Sequence, residues 1–169
     1  TNQTCPFTTS CRSVAWNGTM WVAVGQGTYT IAYSSDGLTW TGIVGPFSNV
    51  GIGIAWNGLM WIAVGEGTNS IAYSYDGINW TGLETGPFSS GLGITWNGTK
   101  WVAVGNGTVN TMAYSYDGIN WTGLGKAALT QTGTSVASNT KRSQQIIFPT
   151  NRMVAGGSGN NSIAYSANG

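Results

Sequence analysis

The chain has 169 residues, of which 41% are hydrophobic and 7% charged, with a formal net charge of +1 and no histidine. Such a balance lacks the basic face with which nucleic-acid binders displace counterions, and it is too apolar and aromatic for a disordered polar chain. No apolar run approaches the roughly 18 residues of a membrane-spanning helix, and no basic-then-apolar leader opens the sequence.

The first segment reads TNQTCPFTTSCRSVAW. Its Pro6-Phe7 precedes Trp16 much as Pro46-Phe47 precedes Trp56 and Pro87-Phe88 precedes Trp96, so the chain opens on a joint between repeated units. Cys5 and Cys11 stand in the places of Gly45 and Gly51. A disulfide between them, closing a small loop, would contribute about 2 kcal/mol; two free thiols in a reducing compartment are the other reading. Two cysteines without a histidine do not make a metal site, and no cofactor is expected.

From the joint onward the pattern is one of short strands and tight turns. In the second unit, Gly51 to Leu83, apolar and small residues run from Ile52 to Trp56, Asn57-Gly58 follows, and Met60 to Val64 returns. Asn-Gly suits a type I′ hairpin, whose two central residues take positive φ. Gly65-Glu66-Gly67 then leads into Ser70 to Ser74, and Asp76-Gly77 precedes a last run, Asn79 to Leu83. No window holds apolar residues at helical spacing, and β-branched and aromatic residues crowd the runs. In the first unit the corresponding strands are expected near 12–16, 20–24, 30–34 and 39–43.

The tryptophans set the period. Trp16, Trp56 and Trp96 recur every 40 residues, as do Trp21, Trp61 and Trp101, while Trp40, Trp80 and Trp121 complete the set of nine. A fourth copy, RMVAGGSGNNSIAYSANG from Arg152 to Gly169, carries Met153 for the second tryptophan and Asn168 for the turn aspartate. Four strands repeated at about 40 residues are the mark of propeller blades, which bury their faces against one another. The expected fold is therefore an all-β single domain over 1–169, a β-propeller of about four four-stranded antiparallel blades, approximately 7–43, 47–83, 88–124 and 134–169. The fourth copy stops before its outer strand, which residues 1–4 are expected to supply, either within the chain or by donation to a neighbour. Two alignments compete for its first strand: one through Thr134 to Asn139, the other through Ile146 to Pro149. Either leaves an insertion bearing Lys141 and Arg142, a place for a specific contact.

The segments SSDGLTW, SYDGINW and SYDGINW, ending at Trp40, Trp80 and Trp121, resemble the Asp-box of sialidase-type propellers, Ser-x-Asp-x-Gly-x-Thr-Trp, with one residue fewer between Asp and Gly. The resemblance implies a structural turn at Asp36-Gly37, Asp76-Gly77 and Asp117-Gly118, with the tryptophan packed beneath it. A sialidase site would further imply an arginine cluster, a tyrosine–glutamate nucleophile pair and an aspartate acid. Arg12, Arg142 and Arg152 do not fall at equivalent positions, and with three of five carboxylates committed to turns only Glu66 and Glu84 remain for acid–base work. An enzyme is not expected.

Most tryptophans are expected in the core, Trp21, Trp61, Trp101, Trp40, Trp80 and Trp121 above all. Trp16, Trp56 and Trp96, beside the Asn-Gly turns, are the candidates for stacking on sugars, followed by Tyr75 and Tyr116. Seven Asn-x-Ser/Thr sequons, at Asn2, Asn17, Asn79, Asn97, Asn106, Asn120 and Asn160, are candidate glycosylation sites, although a repeat rich in Asn and Thr generates them by copying. The functional expectation is a non-catalytic module on an extracellular, cell or virion surface. It would serve structure, assembly or interaction, with other protein subunits or surface glycans as partners and without nucleic acid or membrane insertion. The alternative is a lectin with one weak sugar site per blade.

Overall fold

The computed structural model describes residues 6–84, 86–138 and 153–166. The fold is all-β and antiparallel, with no helix among the described residues. The first unit holds β1 (Ser10–Trp16), β2 (Trp21–Gln26), β3 (Ile31–Ser34) and β4 (Thr41–Ile43), each paired with the next. The second repeats this with β5 (Val50–Trp56), β6 (Trp61–Glu66), β7 (Ile71–Ser74) and β8 (Thr81–Gly82), and the third with β9 (Ser90–Trp96), β10 (Trp101–Asn106), β11 (Met112–Ser115) and β12 (Thr122–Gly123). A separate three-stranded sheet follows: β13 (Thr132–Ser138), β14 (Met153–Ser158) and β15 (Ile163–Ser166). Single bridges, Gln26 with Val50 and Glu66 with Ser90, link the first three units into one sheet.

First strands are longer than the sequence pattern implied, because each continues past a bulge, between Cys11 and Ser13 in β1 and between Gly51 and Gly53 in β5. A bulge sharpens the local twist without ending the pairing. The fourth strands are shorter, two or three residues, because only those pair with the strand before. Ser138 pairs with Met153 as Trp16 pairs with Trp21, which fixes the fourth unit's first strand on the alignment through Thr134. The competing segment, Ile146 to Pro149, lies outside the described residues, as do Asn139, Lys141, Arg142 and residues 1–4 with their proposed strand.

Period-two alternation gives each unit two faces, and the units pack face to face. The face of the first unit formed by Val22, Val24 and Ile31 is buried against Phe47, Ile54, Trp61, Ala63 and Ala72 of the second. The corresponding face of the second, Met60, Ile62, Val64 and Ile71, meets Phe88, Ile94, Trp101, Ala103 and Ala113 of the third. Val104 of the third then meets Leu129 and Ala155 of the fourth, with Met112 and Val136 alongside. We call the two faces trailing and leading. First strands stand side by side, β1 next to β5, β5 next to β9 and β9 next to β13. That arrangement brings the equivalent ends of the first three hairpins to one place.

Candidate binding site

The site begins with a cross-strand pair. The last residue of each first strand faces the first of the second, so Trp16 sits on Trp21, Trp56 on Trp61 and Trp96 on Trp101, with ring centroids 4.9, 4.9 and 5.2 Å apart and planes tilted by 38 to 58°. Tilted contact at this range suits the indole quadrupole. Trp61 and Trp101 are fully buried, whereas Trp16 is 42% exposed and Trp56 and Trp96 are half-buried. The upper ring of each pair therefore shows one surface to solvent and is held from below by the other. Trp21 and the turn tryptophans Trp40, Trp80 and Trp121 are partly buried.

Between the paired tryptophans the turn differs from the expected type I′. Asn57 is not a central residue of the tip: its N–H donates to the Met60 carbonyl (3.2 Å), and its Oδ1 accepts from the N–H groups of Leu59 and Met60, both at 2.8 Å. Gly58 and Leu59 form the tip, with Gly58 at φ +104° in open space. The carboxamide, accepting from two tip amides at once, satisfies more donors than it would in the tip itself. Asn17 and Asn97 cap their turns in the same way.

Because the first strands are neighbours, the three tips converge on a cavity of about 530 Å³ lined by Trp16, Trp56 and Trp96, by Asn17 and Asn57, and by the turn glycines Gly18, Gly58 and Gly98. Among the described residues, no charged side chain lines it. In the fourth unit Ser138 holds the tryptophan's position, donating to the Trp96 carbonyl at 2.7 Å.

The Asp-Gly turns lie at this same end, since Ser74, which precedes the turn, pairs with Trp61. Asp76 Oδ1 accepts from the N–H of Ile78 (2.8 Å) and Asn79 (2.7 Å) and from the Ser74 hydroxyl (3.0 Å). Ser74 Oγ accepts from Gly77 N–H, and the Trp80 indole donates to the Gly77 carbonyl at 3.1 Å. Gly77 takes φ +74°, a region costly to other residues. The same network recurs at Asp36-Gly37 and Asp117-Gly118. These donors stabilise the carboxylates, holding Asp36 at a pKa of about 2, chiefly through the Thr39 and Leu38 amides. Asp76 is held lower still, first by the Asn79 backbone and then by its side chain, and Asp117 first by the Asn120 side chain and then by its backbone.

Other candidates fall elsewhere. Tyr75 and Tyr116 are exposed, edge-on to Tyr73 and Tyr114, and do not line the tryptophan cavity. Glu66 accepts from Asn49 at 3.3 Å at the opposite end of β6, and Glu84 lines a groove with Leu83, Ile119 and Trp121. Among the described residues, no three histidine, cysteine or acidic side chains are grouped to hold a metal. Cys11 is exposed, and its proposed partner Cys5 lies outside the described residues. Of the sequon asparagines, Asn97 is fully buried, Asn79 and Asn120 bond Asp76 and Asp117, Asn106 and Asn160 are exposed, and Asn2 lies outside the described residues.

The sequence singled out Trp16, Trp56 and Trp96 one by one. That they share a cavity was missed, although the signal was present: equal 40-residue spacing, once first strands are neighbours, places equivalent residues side by side.

No family model matches the chain, and no curated protein matches it. Among solved structures, it is similar to the crystal structure of the computationally designed Ika4 protein, at 12% sequence identity with a TM-score of 0.64, over 96% of this chain and 93% of that one. At that identity the likeness concerns the fold alone.

Proposed function

We propose that this chain is a non-catalytic module of about four β-propeller blades, related to Asp-box repeats, that acts in interaction on an extracellular or particle surface, with its tryptophan mouth as the binding site. The observation that carries this reading is the cavity into which three repeats each place one partly exposed indole, supported from beneath by a second. Rigid aromatic surface among neutral polar groups suits a ligand with an apolar face and hydroxyl edges. A neutral sugar has that chemistry. The geometry favours one shared site at the mouth over one weak site per blade. Catalysis gains no support from the same cavity, because Glu66 and Glu84 lie outside it and the three turn aspartates are occupied by turn amides.

A screen against neutral and charged glycans, run on the intact chain and on Trp56→Ala, tests this proposal. Binding of neutral glycans, lost in Trp56→Ala with the melting temperature held within a few degrees, supports it. Absence of glycan binding by the intact chain overturns the sugar reading, and preference for charged glycans overturns its assignment to neutral ones.

A further inference from the structure

The three internal junctions use one set of positions. On the trailing side, Val22, Ile62 and Val102 are at most 1% exposed, and Ile31 and Ile71 are fully buried. Their counterparts in the last unit, placed by strand register, are Val154 and Ile163, 48% and 71% exposed. On the leading side, Ile54 and Ile94 are buried beneath the preceding unit, whereas their counterpart in the first unit, Val14, is 50% exposed. Trp21 is partly exposed where Trp61 and Trp101 are sealed. The turns tell the same story: a Cβ on Gly77 would meet Met20 and Val22 of the preceding unit, and one on Gly118 would meet Met60 and Ile62, whereas the three atoms nearest one on Gly37 all belong to Trp21 of its own unit. Among the described residues, β13 does not pack beside β1 as the other first strands pack beside one another.

We infer that the trailing face of the fourth unit and the leading face of the first are the two halves of one more junction, made head to tail with a second copy of this chain. The occupant follows from self-complementarity: the partner surface that a trailing face accepts, three times within the chain, is a leading face, and a second copy carries one. Val154 and Ile163 then pack against Val14 and the exposed part of Trp21, at the rim of the buried Phe7, Ala23 and Ala32 cluster, as Ile62 and Ile71 pack with Ile94 and Trp101. Such a contact is heterologous. It closes into a ring of copies if the rotation per chain divides a full turn and grows into a filament if it does not. The junction is face to face and distinct from donation of an edge strand.

Light scattering with size-exclusion chromatography tests this on the full chain and on two variants, Val14→Asp and Ile163→Asp, both at exposed positions and both checked for an unchanged melting curve of the isolated chain. The intact chain is expected at two or more multiples of its 17.6 kDa mass. Each variant alone is expected at one, because one half of every junction is broken. Mixed, the two are expected to form a pair and nothing larger, joined by the intact trailing face of Val14→Asp chains and the intact leading face of Ile163→Asp chains. An intact chain that stays monomeric overturns the inference. So does an oligomer that survives either substitution, or a failure of the mixed variants to pair.

Discussion

The second and fourth units have the same strand register and the same bulge, yet one is sealed and the other open. Ile62 is fully buried and its counterpart Val154 half exposed, although both leave their strands in the same direction against an equivalent partner residue, Ala55 or Ala137. Strand pairing therefore does not decide burial in this molecule; the neighbouring unit does. In repeat architectures of this kind stability is a sum of unit and interface contributions, and the interface contribution is what the fourth unit lacks on its trailing side.

The largest expected effect of that contrast comes from matched truncations. Ile62→Ala should cost about 2 to 5 kcal/mol, as buried aliphatic truncations do, while Val154→Ala in the isolated chain should cost about 0.5 kcal/mol or less. Chemical denaturation measures both, and equal losses would show that the two faces are covered alike. Next is Gly77→Ala. It forces a side chain to φ +74° and brings its Cβ within 2.6 Å of Met20 Cε, so a loss of about 1 to 2 kcal/mol is expected. Gly37→Ala, at nearly the same φ of +73° but with its nearest neighbour, Trp21, at 3.3 Å, should cost less, the difference isolating the packing of the turn on the preceding unit.

A smaller effect follows from the aspartates. Their folded pKa values lie below the ordinary carboxylate value of 3.8, so the unfolded chain binds more protons as pH falls and the ionised turns stabilise the fold above about pH 4. That stabilisation is lost as pH drops, the share of Asp36 being gone by about pH 2 and those of Asp76 and Asp117 persisting lower. The melting temperature should decline from pH 4 to pH 2, less steeply in Asp76→Asn. An identical decline in that variant would remove Asp76 from the account. The three carboxylates are solvent-exposed, so each contributes little beside a buried aliphatic.

Much of this architecture was legible because the repeat wrote it three times. Nine tryptophans at fixed spacing located the strands to within a few residues, and Asp76-Gly77 announced a turn whose bonding matches its residue types. The Asn-Gly turns misled in detail: the dipeptide signals positive φ, but the choice between tip and closing position rests on which amides the carboxamide reaches, a three-dimensional matter. The fourth unit's first strand was ambiguous, since Ser138 stands where the other copies carry tryptophan and only its pairing with Met153 identifies it. The open faces at Val14, Val154 and Ile163 could not be read at all, because those residues are as apolar as their buried counterparts. Pattern reports which face is apolar; burial depends on what stands against it.

The central claim is that three repeats build one binding mouth. Titration calorimetry with the neutral glycan retained most strongly in the screen, on the intact chain and on Trp16→Ala, Trp56→Ala and Trp96→Ala, tests it most directly. A shared mouth predicts one ligand per chain and at least a tenfold loss of affinity in each variant. Three ligands per chain, with each variant losing one and keeping the affinity of the others, would contradict it.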